Sequence, residues 1–150
     1  MNMPTTKDKF DDLKSVISYR DSVYMLYWQN QINTPKTLEE FHACGNRACI
    51  AGHLALSPLF QRHGGEVCWS GTPALSGTVG ANAVELWFFG NDDASEKTNL
   101  VIHGYSEPYY VSNWGNWKSK EAVAALELLE NQHKYSSSEF YELLCDLYSV

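Results

Sequence analysis

The chain has few charged residues for its length, and basic residues are the scarcest of them. Charged residues make up 19% of its 150 residues, below the roughly 25% of an average domain. Hydrophobic residues, at 44%, supply a core, and a domain of this length hides roughly 70% of the surface that its unfolded chain would expose. The composition excludes an intrinsically disordered chain and predicts one globular domain over residues 1–150.

The shortage of basic residues limits the classes of partner that the chain is expected to bind. The chain has 11 Lys and Arg residues against 18 Asp and Glu residues, which gives a net charge of −7. Such a chain repels a phosphate backbone, so we predict that it does not bind duplex nucleic acid. The acidic segments, such as 11–12 and 91–93, are short and scattered, which favours solvated helix ends over a surface that imitates DNA.

Long apolar runs are also missing. The longest, 83–89, contains Glu85 and falls far short of the ~20 residues that cross a bilayer. Near the N-terminus, Asp11 and Asp12 precede any apolar stretch that could form a signal sequence. We therefore predict no membrane partner, no export and a cytoplasmic location. In that compartment the four cysteines favour reduced thiols or metal ligands over a disulfide framework.

Apolar spacing and capping signals predict a mainly α fold, a compact multi-helix bundle with a short β-ribbon near residues 66–80. Ser136 and Glu139 have the spacing of a capping box, as do Thr37 and Glu40. The predicted helices cover residues 7–19, 23–28, 37–41, 47–61, 81–89 and 92–103, and two more begin at Ser119 and Ser136.

Other local signals set the predicted helix ends and strands. Gly90 is expected to end the helix over 81–89, and Asn91 or Asp92 to cap the helix that follows. The best strand candidate is 66–69. Residues 70–80 and 105–117 are predicted to be irregular.

The densest chemistry lies in residues 42–53, where two thiols and two imidazoles occur within one short run. Cys49 and His53 are four residues apart, which places them on one face of a helix. His42 and Cys44 would then arrive from the preceding turn and complete four zinc ligands. Standard structural zinc sites draw their ligands from two separated segments, and this run is local. A zinc-stabilised module is therefore one hypothesis, with zinc as its only cofactor.

A second hypothesis is a thiol-dependent enzyme. Cys44 or Cys49 at a helix N-terminus would gain thiolate character from the helix dipole, and Arg47 would add positive charge. The general base would be a histidine from elsewhere in the chain, His103 or His133.

The favoured interpretation of the cysteines is packing. A free cysteine behaves as a small apolar residue, and Cys49 is predicted to be buried on the central helix over 47–61. Replacing Cys49 by Ser is then expected to destabilise the fold by about 1–3 kcal/mol. A Cys44–Cys49 disulfide is sterically allowed, but the cytosol keeps thiols reduced.

The run from Cys44 to Gly52 reads Cys-Gly-x-x-Ala-Cys-Ile-Ala-Gly and resembles a motif in small bacterial and phage proteins for which no activity is established. The resemblance covers residues 37–103 and includes 80–90, where those proteins carry a similar short helix before a turn. The chain departs from the pattern at Asn46, where Thr is usual, and at His53, where an aromatic residue is expected. The resemblance implies a shared fold unit and no particular activity.

Five large aromatic side chains lie in residues 105–117. Such a segment can stack sugars or bases, but base stacking normally accompanies a basic groove, and only Lys118 and Lys120 lie close by in the sequence. Packing of these rings against helices is therefore the favoured interpretation.

The motifs of common nucleotide enzymes, zinc proteases and serine hydrolases do not occur in the sequence. We therefore predict a small cytosolic accessory or interaction protein of bacterial or phage type, which binds a protein or a small-molecule ligand without catalysis. The thiol enzyme and the zinc-stabilised module are the alternatives.

Overall fold

A computed structural model describes residues 3–19, 22–24, 29–30, 47–68, 71–111 and 116–148. The fold is mainly α with short antiparallel strands, as predicted. The helices are α1 (Thr6–Ser18), α2 (Ile50–Leu56), α3 (Pro58–Arg62), α4 (Ala81–Phe89), α5 (Glu96–His103), α6 (Ser119–Glu130) and α7 (Ser137–Tyr148), with a 3-10 turn at Gln132–Lys134. The strands are β1 (Ser22–Tyr24), β2 (Gln29–Asn30), β3 (Arg47–Ala48), β4 (Glu66–Val67), β5 (Pro73–Leu75), β6 (Thr78–Val79), β7 (Tyr105–Ser106), β8 (Tyr109–Tyr110) and β9 (Asn116–Lys118).

Several helix boundaries agree with the predicted signals. Helix α1 buries its apolar stripe, which includes Phe10 and Leu13. Gly90 ends α4 in the left-handed conformation, with φ 84°, which glycine adopts without steric cost. Before α7, the Ser136 hydroxyl accepts a hydrogen bond from the Glu139 N–H at 3.2 Å, and the Glu139 carboxylate accepts one from the Ser136 N–H at 3.1 Å. This is the predicted capping box.

The helix predicted over 23–28 is wrong in its first part. Residues Ser22–Tyr24 form β1, which pairs antiparallel with β9 so that Val23 lies opposite Trp117. Both side chains are buried. A run that is apolar on every side has no period, so tertiary packing decides between strand and helix. The rest of that segment, and the helix predicted over 37–41, lie outside the described residues.

The single helix predicted over 47–61 is also wrong. Residues Arg47–Ala48 form β3, and the helical part divides into α2 and α3 at Ser57. Pro58 has no N–H for a continuing helix and instead occupies the first turn of α3. The Ser57 hydroxyl caps α3 by accepting a hydrogen bond from the Phe60 N–H at 3.2 Å.

The predicted β-ribbon is present and has three strands, in the order β4-β5-β6. The segment 70–80, predicted to be irregular, supplies β5 and β6, which are joined by a turn at Ser76 and Gly77 with φ values of 50° and 85°. The helix predicted over 92–103 begins later than expected. Its cap is Ser95, not Asn91 or Asp92, because the Ser95 hydroxyl accepts a hydrogen bond from the Thr98 N–H.

The core lies between α1, α4, α5 and α6, with α2 and α7 packed at its sides. Phe10 of α1 stacks on Phe88 of α4 with ring centroids 4.0 Å apart. Lys14 of α1 forms a salt bridge to Glu130 of α6 at 2.8 Å. Within the described ranges, no helix combines the length and the apolar character that crossing a membrane requires.

Candidate functional site

Cys49 is buried, as predicted, but it does not lie within a helix. It is the residue immediately before α2, and its Sγ accepts a hydrogen bond from the Gly52 N–H at 3.3 Å. The side chain is 2% exposed. Burial raises the pKa of the Cys49 thiol to about 11, outweighing the hydrogen bonds from the backbone that lower it.

The position of Cys49 disfavours a nucleophilic role for this thiol. A thiol with a raised pKa is protonated at neutral pH, and its burial keeps substrates away. His103 and His133, the predicted candidate bases, lie at the end of α5 and in the 3-10 turn. Cys44 lies outside the described residues, so its role as a nucleophile stays a prediction.

His53 makes a local contact with Cys49, the residue that caps α2. Its side chain is 1% exposed, and Nδ1 lies 2.8 Å from the carbonyl oxygen of Cys49, which can only accept a hydrogen bond. In the part of the chain that the structure describes, no three His, Cys, Asp or Glu side chains are grouped so that they could hold a metal ion. His42 and Cys44 fall outside that part, so the zinc site of His42, Cys44, Cys49 and His53 stays a prediction.

A second candidate site is an exposed aromatic surface at the hairpin of β7 and β8. Tyr105 pairs with Tyr110 across this hairpin, and their side chains are 51% and 63% exposed. Their ring centroids are 6.5 Å apart and the ring planes meet at 64°. We call Tyr105, Tyr109 and Tyr110 of the hairpin, together with Tyr141 of α7, the tyrosine surface.

Contacts with α7 and at the base of the hairpin hold the tyrosine surface in place. Tyr109 packs on Tyr141 with ring centroids 4.9 Å apart. The Tyr141 hydroxyl donates a hydrogen bond to the Tyr110 carbonyl oxygen at 2.6 Å. The base of the hairpin is closed by the N–H of the buried Val111, which donates to the Gly104 carbonyl oxygen at 2.8 Å. The two exposed rings therefore stand on a backbone that is already ordered.

The two elements that build the tyrosine surface are acidic. Residues Tyr105–Tyr110 contain one acid, the exposed Glu107, and no Lys or Arg. Helix α7 contains the exposed acids Glu139, Glu142 and Asp146 and again no Lys or Arg. Hydrogen bonds from Ser136 lower the pKa of Glu139. Both elements therefore present negative charge at neutral pH.

A cavity of about 330 Å³ lies between the β5–β6 ribbon and helices α4 and α5. Polar side chains that line it are Thr72, Asn82, Asn99 and His103. Partial desolvation lowers the pKa of His103, so its imidazole is mainly neutral at pH 7. The cavity is at the small end of the range for ligand sites, and its lining suits a small polar molecule.

Comparisons with protein-family models, with curated proteins and with solved structures found no match to the chain. The resemblance of residues 37–103 to bacterial and phage proteins therefore stays a prediction.

The aromatic segment 105–117 is only partly the packing element that the sequence predicted. Trp117 is buried and Tyr109 packs against the core, as expected, but Tyr105 and Tyr110 are exposed. The segment is also less irregular than predicted, because it contains β7, β8 and the first residues of β9. The signal that could have identified the exposed pair is a hairpin turn at Glu107 and Pro108. Successive side chains of its strands lie on opposite faces, so Tyr105 and Tyr110 share a face that Tyr109 does not.

Proposed function

We propose that this is a non-catalytic, cytosolic interaction protein of bacterial or phage type, which binds a partner protein through the tyrosine surface. The observation that carries the proposal is the exposed pair Tyr105 and Tyr110, held by an ordered hairpin. Tyrosine is enriched among the residues that dominate binding energy, since it buries a large ring and retains a hydroxyl for hydrogen bonding. An ordered backbone reduces the conformational entropy that binding costs.

A protein partner agrees with this surface better than a nucleic acid does. Successive bases stack in parallel on aromatic side chains beside a basic groove. The rings of Tyr105 and Tyr110 meet at 64°, and the hairpin and α7 carry acids without Lys or Arg. These acids would repel a phosphate backbone.

The properties of Cys49 support a non-catalytic role. This thiol serves as the cap of α2 and has a pKa raised to about 11. Three cysteines in the described part of the chain, Cys49, Cys68 and Cys145, are free thiols, as expected for a protein of a reducing compartment. Of the two cysteines that the thiol-enzyme alternative names, Cys44 is the one that these properties do not disfavour.

The proposal is tested by site-specific photo-crosslinking in the cells that make the protein. The photoreactive residue p-benzoylphenylalanine replaces Tyr105 or Tyr110, and in the control it replaces Tyr19, which is 76% exposed at the end of α1. We expect one discrete protein adduct from positions 105 and 110 and none of the same mass from position 19. The adduct is identified by mass spectrometry and the partner is then purified.

Affinity for the purified partner completes the test. Replacing both exposed rings, Tyr105→Ala with Tyr110→Ala, is expected to weaken binding at least about tenfold, the effect of removing side chains at the centre of an interface. Tyr19→Ala is expected to leave the Kd unchanged. Identical adducts from all three positions, or a Kd that the double variant does not alter, would contradict the proposal.

A further inference from the structure

We infer that the partner segment that occupies the tyrosine surface is basic, an exposed stretch of the partner rich in Arg or Lys. The inference rests on the proposed function and adds the chemistry of the ligand. Two independent features of the surface support it, its charge and its exposed aromatic rings.

The charged side chains of the two elements that build the tyrosine surface have one sign. Glu107 is exposed at the turn of the hairpin, and Glu142 is exposed directly after Tyr141. Asp146 lies one turn further along α7, four residues after Glu142, so the two carboxylates share a helix face. A basic segment bound to the hairpin and α7 would meet two elements whose charged side chains are all carboxylates.

The nearby Lys97 does not cancel this charge. Its ammonium group donates hydrogen bonds to the carbonyl oxygens of Gln132 and Tyr135, at 2.9 and 2.6 Å. These contacts direct it toward the start of α7, where its charge contributes to lowering the pKa of Glu139. Glu142 and Asp146 lie further along the helix, beyond that contact.

The two exposed rings recognise the same kind of ligand. A guanidinium or ammonium group is attracted to the face of an aromatic ring. Because the planes of Tyr105 and Tyr110 meet at 64°, the two rings do not form one flat platform, and a segment with more than one cationic side chain suits them better than one flat ligand does. Arginine suits such a surface best, since its planar group stacks on rings and also binds carboxylates.

The test uses a defined probe, a fluorescein-labelled peptide of ten residues that alternates Arg and Gly, with a Glu and Gly peptide as the control. Binding is measured by fluorescence anisotropy with the full chain at low and at physiological salt. ¹H–¹⁵N spectra locate the contact. We expect the Arg peptide to shift resonances of residues 105–110 and 141–146, and the Glu peptide to leave the spectrum unchanged.

Variants separate the ring contribution from the charge contribution. Tyr105→Ala with Tyr110→Ala is expected to raise the Kd of the Arg peptide about tenfold, whereas the double Phe variant, which retains both rings, raises it about twofold or less. Glu107→Gln with Glu142→Gln is expected to raise the Kd about three- to tenfold, an effect that salt reduces.

Matched controls exclude general attraction to an acidic protein. Asp92→Asn with Asp93→Asn removes the same charge from an exposed loop before α5 and is expected to leave the Kd of the Arg peptide within about twofold in physiological salt. Equal weakening by the two acidic double variants would overturn the inference. So would an affinity that the double Ala variant leaves intact, or displacement of the Arg peptide by a neutral oligosaccharide such as maltohexaose.

The inference and the proposed function fail in different ways. If crosslinking from positions 105 and 110 identifies a partner whose contacting segment is not basic, the proposed function holds and this inference is wrong. If positions 105 and 110 yield no discrete adduct, the proposed function fails whatever the Arg peptide does. Thermal unfolding of each variant beside the parent chain confirms that a lost affinity comes from a folded protein.

Discussion

Replacing Cys49 by Ser and by Ala distinguishes a helix cap from an apolar core residue. If Cys49 only filled space, Ser would be the worse substitute, because it brings a hydroxyl into an apolar site. The structure shows that Sγ accepts a hydrogen bond from the Gly52 N–H. Serine is among the best residues at this helix position. We therefore expect Cys49→Ser to be the milder change, contrary to the expectation from sequence.

The magnitudes follow from what each variant removes. Cys49→Ala removes the cap, which costs about 1 kcal/mol, and leaves the small volume of a buried sulfur unfilled, for a total of about 1–3 kcal/mol. Cys49→Ser retains the cap acceptor, and we expect it to lie within about 1 kcal/mol of the parent chain, since its remaining cost is a partly satisfied hydroxyl.

The thiol also predicts how stability depends on alkaline pH. The pKa of Cys49 is raised in the folded state from its usual value of 9.0 to about 11. Between these values the unfolded chain has released a proton that the folded chain still holds. The contribution of Cys49 is complete below pH 9 and is lost as the pH rises toward 11, with a slope of at most about 1.4 kcal/mol per pH unit. Neither variant has this slope.

The assay is urea unfolding of the parent chain and of both variants at several pH values from 7 to 10.5. Differences between parent and variant cancel the titration of groups that all three share. At pH 7 we expect the order parent, Ser, Ala, with the advantage of the parent over Ser shrinking above pH 9. A Ser variant less stable than the Ala variant by 1 kcal/mol or more would refute the capping argument.

Three further changes test other contacts. Glu85→Ala is expected to destabilise the fold by about 1–3 kcal/mol in urea unfolding, because the buried Glu85 carboxylate accepts a hydrogen bond from the Thr98 hydroxyl at 2.5 Å; Glu85→Gln keeps an acceptor oxygen and should cost less. A double-mutant cycle on Lys14→Met and Glu130→Gln should give a coupling of about 1 kcal/mol, since these side chains are only 17% and 21% exposed; zero coupling would contradict the bridge. Partial desolvation lowers the pKa of His103 in the folded chain, so below about pH 6.5 the unfolded chain takes up a proton that the folded chain does not yet hold. The free energy of unfolding therefore decreases as the pH falls, and His103→Asn should reduce that decrease.

The helices could be predicted where the sequence carries a full stripe or a terminal signal. Helix α1 and the capping box before α7 are of this kind, because their signals involve only neighbouring residues. The strand β1 could not be predicted, since its partner β9 lies over 90 residues away in the sequence. No local period indicates a pairing that distant. Strand β5 escapes prediction for a different reason: its partners β4 and β6 are close in the sequence, but the Gly, Ser, Thr and Pro residues of 70–80 are typical of a loop.

The tyrosine surface was harder to predict than the fold. The sequence shows the aromatic residues of 105–117 but not which of them the core covers. That outcome depends on α7, because Tyr141 packs against Tyr109, whereas Tyr105 and Tyr110 stay exposed to solvent. Whether a ring is exposed depends on which residues pack against it, and the tertiary fold determines those residues.

Cys49 and the tyrosine surface differ in how much they contribute to folding stability. This difference allows effects on binding to be separated from effects on stability. Cys49 is buried at the start of α2 and its cap orders that helix, so changes there alter folding before they alter binding. Tyr105 and Tyr110 are more than half exposed, and the Tyr141 hydroxyl donates its hydrogen bond to the backbone carbonyl of Tyr110, which an Ala variant retains. Losing the two rings should therefore cost little stability. A phenotype from Tyr105→Ala and Tyr110→Ala at normal protein abundance would report on binding, whereas one from Cys49→Ala would first have to be corrected for the amount of folded protein.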